Sequence, residues 1–358
     1  MPTTILAGFE KLRQNLDVTG LQTATVSERQ QNVRSVVEAG LTVNDSFLTG
    51  SYSRSTMISP LSESDIDVFI VLDVSYFHHY NNQNGGPAGL LDLVKRTLRS
   101  TYSRTPDVSR NGQAVTILFT DFAVDIIPAF YRLGGGFLIP NSITQTWIGT
   151  DPKRHVQIAA AANVQHNGDL IPLVKMIKAW NRTIDRHFSS FHLEVLTLAI
   201  LNNVRISDFP SGMRFFFDKG LELIAQRNPD PAGYGADIGS YINTPGKIQV
   251  AVAKFQTAYE RALKAEGLAA QGNICEAFDS WHRILGDYFP AYGQHFGADD
   301  FQSADGLAIG RFAHPMEYRE MSAAGTATEQ LARLTRRFNH HAESNDSAHY
   351  GYAAPSHV

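Results

Sequence analysis

Residues 50–73 read GSYSRSTMISPLSESDIDVFIVLD, a Gly-Ser pair and a polar spacer followed by two aspartates that open an apolar run. The run from 66 to 72 is rich in β-branched and aromatic residues, which predicts a strand. A helix is expected to begin just after Gly50. The segment therefore predicts a loop, a short helix and a buried strand in close succession.

The two aspartates of this segment are the first candidates for chemistry. Alternate side chains of a strand share a face, so Asp65 and Asp67 point the same way while Ile66 and Val68 point into the core. Two carboxylates this close repel each other unless cations lie between them, and Mg²⁺ or Mn²⁺ prefers such oxygen ligands. An ordinary pair of exposed acidic residues is the alternative.

A third carboxylate follows in the segment AVTILFTDFAVDIIPAF, which predicts two strands that turn around Thr120 and Asp121. Asp125 stands between apolar residues of the second strand and needs a compensating partner there. A metal shared with Asp65 and Asp67 would compensate it, whereas the alternative is an edge-strand charge. Three strand carboxylates with two metal ions can bind a departing pyrophosphate and activate an attacking hydroxyl group.

Gly50 and Ser51 are candidates for phosphate binding. Glycine lets the backbone approach a phosphate without a Cβ clash, Ser51 can donate its hydroxyl, and the free amides of the next helix face the anion. By itself a Gly-Ser pair is usually a turn. Its meaning depends on the aspartates that follow it.

The rest of the chain predicts two domains and an extension. Apolar spacing over 4–40 predicts two helices or one broken helix, 88–101 predicts another helix, and the Gly- and Pro-rich stretch 132–155 reads as a loop that leaves the first domain. Helical patterns follow, with a nearly all-apolar helix around 192–204. The predicted boundaries are 1–164 for the first domain with its N-terminal helices, 165–300 for a helical domain, and 301–358 for an extension with a poorly ordered end.

Composition excludes several function classes. The 358 residues carry 31 Lys and Arg against 35 Asp and Glu, a net charge of −4, so no global basic field would hold nucleic acid. Cys275 is the single cysteine, which excludes an internal disulfide and a multi-thiolate zinc module. No apolar stretch suits a signal peptide or a membrane span. We expect a cytoplasmic protein without a membrane partner.

The helical domain adds weaker candidates. Lys175 and Lys178 lie three residues apart, so both can face one cleft opposite the carboxylates, although a solvated helix face is the alternative. Ser190 and Phe191 precede the buried helix, where a helix cap and a core aromatic are the more common roles. Glu194 lies on that helix and is expected to pair with a buried donor between the domains.

These motifs resemble those of the DNA polymerase beta-like nucleotidyltransferases, and most closely the bacterial relatives of cyclic GMP-AMP synthase and oligoadenylate synthetase. The resemblance covers about residues 45–290 and extends to the segments LVKMIKAWN and HFSSFHLEVL. It implies an α+β fold, in which a polymerase beta-like lobe with a mixed sheet faces a helical lobe.

The resemblance also implies roles for residues and ligands. Asp65, Asp67 and Asp125 would be the catalytic metal ligands, holding two Mg²⁺ or Mn²⁺ ions per active site. The implied nucleotide-binding residues are Gly50, Ser51, Lys175, Lys178, Ser190 and Phe191. Many relatives have Tyr where Phe191 lies, so base stacking is kept but a phenol hydrogen bond is not.

The implied activity is the joining of nucleoside triphosphates, with ATP preferred, into a cyclic tri- or dinucleotide that signals in anti-phage defence. A protein activator is expected rather than intrinsic DNA sensing, because the zinc module of the metazoan sensor cannot exist here. One alternative is template-independent nucleotide addition to RNA or protein. Another is a catalytically inactive nucleotide-binding module, which usually lacks one acidic ligand.

Overall fold

The computed structural model describes residues 2–103, 108–235 and 237–293. These residues form two large hydrophobic cores, one built on a sheet and one built from helices, and a small third cluster on the other face of the sheet. The predicted extension 301–358 lies outside the described residues. The α+β class predicted from the sequence is confirmed.

The first lobe is organised by a mixed sheet, which has seven strands in the described residues. The strands are β1 (Val43–Leu48), β2 (Asp65–Leu72), β3 (Val108–Asn111), β4 (Ala114–Leu118), β5 (Ala123–Tyr131), β6 (Phe137–Asn141) and β7 (Thr146–Thr150). The order is β1-β2-β5-β4-β3, and the hairpin β6-β7 joins the far end of β5. The central pair β2 and β5 is parallel, whereas the other pairs are antiparallel.

Helices cover one face of this sheet. They are α2 (Gly20–Gly40), α4 (Val74–Asn81) and α5 (Gly86–Thr101), and the single turn α3 (Gly50–Ser53) follows β1. Ile66, Val68 and Ile70 of β2 are buried against them, as the strand period requires. The intervening residues Asp65 and Asp67 lie on the opposite face, as the sequence predicted.

The second lobe is helical. Its helices are α6 (Pro152–Gln165), α7 (Leu170–Thr183), α8 (Ser190–Leu201), α9 (Phe209–Leu223), α10 (Pro245–Ala270) and α11 (Ile274–Leu285). Helix α8 is buried over most of its length, as predicted from its composition. Trp180 lies in an aromatic cluster with Phe188, Phe217 and Phe255 at the centre of this lobe.

The N-terminal region forms two separate helices with different neighbours. Helix α1 (Ile5–Leu16) buries Phe9, Leu12 and Leu16 in the core of the helical lobe, and the ring of Phe9 meets Trp281 edge-on at 4.8 Å. Helix α2 packs on the sheet. Helix α1 therefore belongs to the helical lobe, although it precedes the sheet lobe in the chain.

Some elements were not predicted. Strand β1 and helix α4 were missed, and the stretch interpreted as an exit loop contains the hairpin β6-β7. Gly134–Gly136 forms the turn before β6, with positive φ angles at all three glycines. None of the described helices is long and apolar enough to cross a membrane.

Two glycines test how tightly the helical core is packed. A Cβ at Gly220 of α9 would overlap the ring of the buried Phe255, while a Cβ at Gly267 of α10 would meet open space. We expect Gly220→Ala to lower the free energy of unfolding by about 1–3 kcal/mol. Gly267→Ala, the control, should raise it by about 0.5–1 kcal/mol through helix propensity. Urea denaturation measures both, and equal effects would contradict the packing.

Candidate active site

The three predicted carboxylates lie on the same face of the sheet. Strands β2 and β5 are parallel neighbours, and their register places Asp67 directly opposite Asp125 and Asp65 opposite Ala123. Asp65 is exposed, while Asp67 and Asp125 are half-buried. Sequence reasoning identified all three residues, and the strand pairing explains how two distant segments form one acidic site.

The acidic site is electrostatically unfavourable as it stands. Burial and the neighbouring Asp125 and Asp65 raise the pKa of Asp67 to about 7, against the opposing effect of Arg54 and Lys178. Burial also raises the pKa of Asp125, although its Oδ1 accepts a hydrogen bond of 2.5 Å from the Thr116 hydroxyl. The site therefore favours any ligand that brings positive charge.

Gly50 forms a cradle against the acidic site. It has a φ of +66°, and a Cβ at this position would overlap the carboxylate of Asp67. The preceding Thr49 N–H donates to the Asp67 carbonyl at 2.9 Å, which ties the loop to β2. Ser51 lies in the single turn of α3, where its carbonyl accepts from the amides of Thr56 and Met57. The predicted Gly-Ser loop and the aspartates are thus one local unit.

The residues present fit a divalent cation in their chemistry. Three carboxylates supply oxygen ligands, two of them have raised pKa values, and the cradle at Gly50 leaves the Asp67 carboxylate uncrowded. Among the described residues, no three acidic, His or Cys side chains are already drawn together as a metal-ligand group. Asp65, Asp67 and Asp125 would hold the ions, and their side chains must converge to do so.

A buried carboxylate links the two lobes beside the acidic site. Glu194 of α8 binds Arg54 with two hydrogen bonds of 2.8 and 3.3 Å and accepts a third from Lys178 Nζ at 3.1 Å. Burial alone would raise the pKa of Glu194, but Lys178 and Arg54 lower it to about 2. Glu194 was predicted to pair with one buried donor, and it binds two cationic donors, Arg54 and Lys178.

The two candidate lysines bind different groups. Lys178 is buried, and besides Glu194 its ammonium donates to the Thr56 carbonyl at 2.8 Å. Lys175 pairs with Asp17 at 2.6 Å, just beyond the end of α1. Lys178 was expected to face a cleft opposite the carboxylates, with a solvated helix face as the alternative; its side chain is buried, and Glu194 and a backbone carbonyl satisfy it there.

The predicted Ser190 and Phe191 lie at the start of α8. Ser190 is exposed, and Phe191 is half-buried between two polar groups. The Arg54 guanidinium lies 4.9 Å from the centre of the Phe191 ring, and the His155 ring lies 4.9 Å from it. Phe191 is therefore not a fully buried core residue. Its ring is also not free to stack on a base in this conformation, because Arg54 and His155 contact it.

Sequence reasoning missed several residues around the site. Arg54 carries no signal of its partner Glu194, which lies 140 positions away in the chain. Thr116 could have been found from the predicted strand pair, since it faces Asp125 across the β4-β5 ladder. His155 and Asp230 form a buried pair at 2.6 Å that joins α6 to the loop after α9, with no motif to indicate it.

The fold of the described residues is similar to that of several solved structures. The chain resembles E. coli MS115-1 CdnC with ATP at a TM-score of 0.64 and 16% identity, over 80% of this chain and 99% of that one. For the E. coli MS115-1 CdnC:HORMA-deltaN complex the TM-score is 0.62 at 15% identity, over 79% and 96% of the two chains. The described residues therefore share the fold of these two solved structures.

Comparison with protein families is more specific. Residues 3–163 match the family described as the Second Messenger Oligonucleotide or Dinucleotide Synthetase domain, SMODS. A cyclic AMP-AMP-AMP synthase from Acinetobacter sp. (strain ATCC 27244 / 9458) is 26% identical over 278 residues, which are 73% of this chain and 77% of the relative. The match assigns a SMODS domain to residues 3–163, and the relative agrees with the resemblance stated from the sequence.

The raised pKa of Asp67 gives a testable dependence of stability on pH. The pKa of Asp67 in the folded protein is about 7, above its ordinary value of 3.8. The stability that this group contributes below pH 3.8 is therefore lost as the pH rises through 7. Without divalent ions, Asp67→Asn should therefore stabilise the protein at pH 8 by about 1–3 kcal/mol. Thermal unfolding of both proteins at pH 8 and at pH 4 measures this difference in stability. At pH 4, the control, the two proteins should differ little. A variant less stable than wild type at pH 8 would contradict the repulsion.

Proposed function

We propose that this chain is a cyclic oligonucleotide synthase that uses mainly ATP and makes a cyclic trinucleotide, with a cyclic dinucleotide as the second choice. The observation that carries the proposal is the pairing of Asp67 with Asp125 on parallel strands, with Gly50 against the Asp67 carboxylate. The SMODS domain and the similarity to a cyclic AMP-AMP-AMP synthase support the choice of product.

The reaction consists of repeated phosphoryl transfers. A 3′-hydroxyl oxygen bonds to the α-phosphorus of a second nucleotide, the bond to pyrophosphate breaks, and the hydroxyl proton passes to a nearby base. When bound, Mg²⁺ or Mn²⁺ would neutralise phosphate charge and lower the pKa of the attacking hydroxyl. The bases that this chain offers are the carboxylates of Asp65, Asp67 and Asp125, and ring closure requires the linear intermediate to meet them a second time.

Several residues of the chain would orient the nucleotide. Gly50 gives the phosphates access to the backbone, and Ser51 offers a hydroxyl group beside it. Lys178 would contribute positive charge at the triphosphate, and its pKa is lowered by burial and raised in part by Glu194. The roles of Lys175 and Ser190 in triphosphate binding, and of Phe191 in base stacking, remain predictions from the resemblance.

We also propose a place in anti-phage signalling, in the cytoplasm, with a protein rather than DNA as the activator. One of the solved structures that this chain resembles is a complex with a HORMA protein, which supports a protein activator. The single cysteine and the net charge of −4 argue against a DNA-binding zinc module.

The product assay tests the proposed reaction. Purified full-length protein with labelled ATP and Mg²⁺ or Mn²⁺ should yield a small species that survives phosphatase treatment, and mass spectrometry should show two or three linked nucleotides. The cyclic product lacks the terminal phosphates that phosphatase removes. A ladder of linear products, or products that need added RNA or protein, would favour the alternative transferase. Nucleotide binding without turnover would favour the inactive module.

Gly50 allows a sharper test of the acidic site. Gly50→Ala imposes a Cβ on the Asp67 carboxylate and on a left-handed backbone, and we expect turnover to fall by about 100-fold or more. Gly134→Ala is the matched control, because its φ is +86° but a Cβ there meets open space. Both variants carry backbone strain of about 1 kcal/mol. Initial rates measured with labelled ATP separate them, and equal rates would place Gly50 outside the reaction.

A further inference from the structure

One buried arginine of the helical lobe binds the chain segment that leads into the acidic site. The side chain of Arg182, near the end of α7, is only 9% exposed. Its guanidinium donates hydrogen bonds to the carbonyls of Ser59 at 2.9 Å, Ile58 at 3.3 Å and Glu63 at 3.3 Å, and to the Ser64 hydroxyl at 2.9 Å. It therefore contacts both ends of residues 58–64.

Two further contacts fix the guanidinium itself. Arg182 Nη1 also donates to the Tyr288 hydroxyl at 3.2 Å, and Nε forms an ion pair of 3.5 Å with the Glu63 carboxylate. These contacts use the planar fork of five donors that only arginine provides. A lysine ammonium with three donors cannot reach the same set of acceptors.

The segment lies between the two cores of the molecule. Met57 and Leu61 are buried in the core of the sheet lobe, whereas Ile58 is buried in the core of the helical lobe. The carbonyls of Ile58 and Ser59 lie outside the strands and the α-helices, so a side chain must satisfy them once they are buried. Arg182 does so from the helical side.

Helix α7 and the residues just after it approach this segment with three basic side chains spaced four apart. Lys178 donates to the Thr56 carbonyl at 2.8 Å, and Arg186 donates to the Glu63 carbonyl at 3.0 Å and to its carboxylate at 2.9 Å. Arg182 lies between them. The three side chains together bind the backbone from the end of the Gly-Ser loop to the start of β2.

Asp65 depends on such support more than the other two carboxylates do. It is the first residue of β2 and is exposed. Within the described residues its strand neighbour is β5 alone, because the pairing of β1 with β2 ends at Leu48 and Val68. Asp67 has an additional backbone bond from Thr49. The position of Asp65 is therefore set by β5 on one side and by Ser64 and Glu63, which precede it.

We propose that Arg182 is a positioning residue for Asp65, holding Ser64 and Glu63 so that this carboxylate can converge with Asp67 and Asp125 on a divalent cation. The inference rests on the proposed function, in which Asp65 binds the cation. Arg182 touches neither nucleotide nor metal in this arrangement. It acts through the backbone that precedes Asp65.

The experiment compares Arg182→Lys with Arg186→Lys in the full-length protein. Mn²⁺ binding is measured by the loss of the free Mn²⁺ resonance signal in the presence of a non-hydrolysable ATP analogue, beyond the loss that the analogue causes without protein, and well below the unfolding temperature. We expect Arg182→Lys to bind Mn²⁺ about tenfold more weakly than wild type. Arg186 is exposed, and its side chain binds Glu63 at one end of the segment, whereas Arg182 binds both ends. A lysine at 186 can keep one of the bonds to Glu63, so Arg186→Lys should weaken Mn²⁺ binding much less than Arg182→Lys does.

A second variant, Ser64→Ala, tests the same proposal if Arg182→Lys does not fold. Ser64→Ala leaves the arginine in place but removes its bond to the Ser64 hydroxyl, together with the bond of 3.3 Å that this hydroxyl donates to the Ile58 carbonyl. It should weaken Mn²⁺ binding in the same direction by a smaller factor. Amide hydrogen exchange over 58–68 should be faster in both variants. Rapid exchange with wild-type Mn²⁺ affinity in both would overturn the positioning role and leave Arg182 a structural residue.

The outcomes separate this inference from the proposed function. If wild type binds no Mn²⁺ with the ATP analogue, the proposed function fails, and the positioning role fails with it. If wild type binds Mn²⁺ and makes cyclic product while Arg182→Lys binds Mn²⁺ equally well, only the positioning role is overturned. An equal loss of affinity in Arg182→Lys and Arg186→Lys would also overturn it.

Discussion

The repulsion between Asp67 and Asp125 is the constraint on which the arrangement of the site depends. Parallel pairing of β2 and β5 places the two carboxylates at the same level of the sheet, and burial removes much of the water that would screen them. A fold that only needed stability would place apolar residues there. The surrounding cations reduce the electrostatic cost of burying Asp67 and Asp125 together, without removing the negative charge.

The network around Glu194 supplies part of that compensation. One carboxylate binds two cations, Arg54 and Lys178, so the group carries one net positive charge when all three are ionised. Both cations lower the pKa of Asp67. Glu194 thus allows two cations to be buried together beside the acidic site, and it draws them from both lobes, since Arg54 follows α3 and Lys178 lies on α7.

The sequence predicted the parts of the site that follow from local rules. The strand period placed Asp65 and Asp67 on one face, and composition identified α8 as a buried helix. Contacts between distant segments were not predictable in this way: Lys178 was expected to face a cleft opposite the carboxylates, and helical periodicity does not show that Glu194 would bind it. The hairpin β6-β7 was missed because the glycines and the proline around its short strands favour a loop.

No single point in the chain divides the two lobes: α6 of the helical lobe begins before the boundary predicted at 164/165, which stays a prediction. Helix α1 completes the helical core from the N-terminus, and residues 57–61 contribute to both cores within five positions. Ser59 N–H also donates to the carbonyl of Leu16 at the end of α1. A rotation of one lobe against the other would have to break these contacts and those of Arg182. Because Asp65 follows this segment directly, the packing of the helical lobe and the geometry of the acidic site are coupled through the backbone.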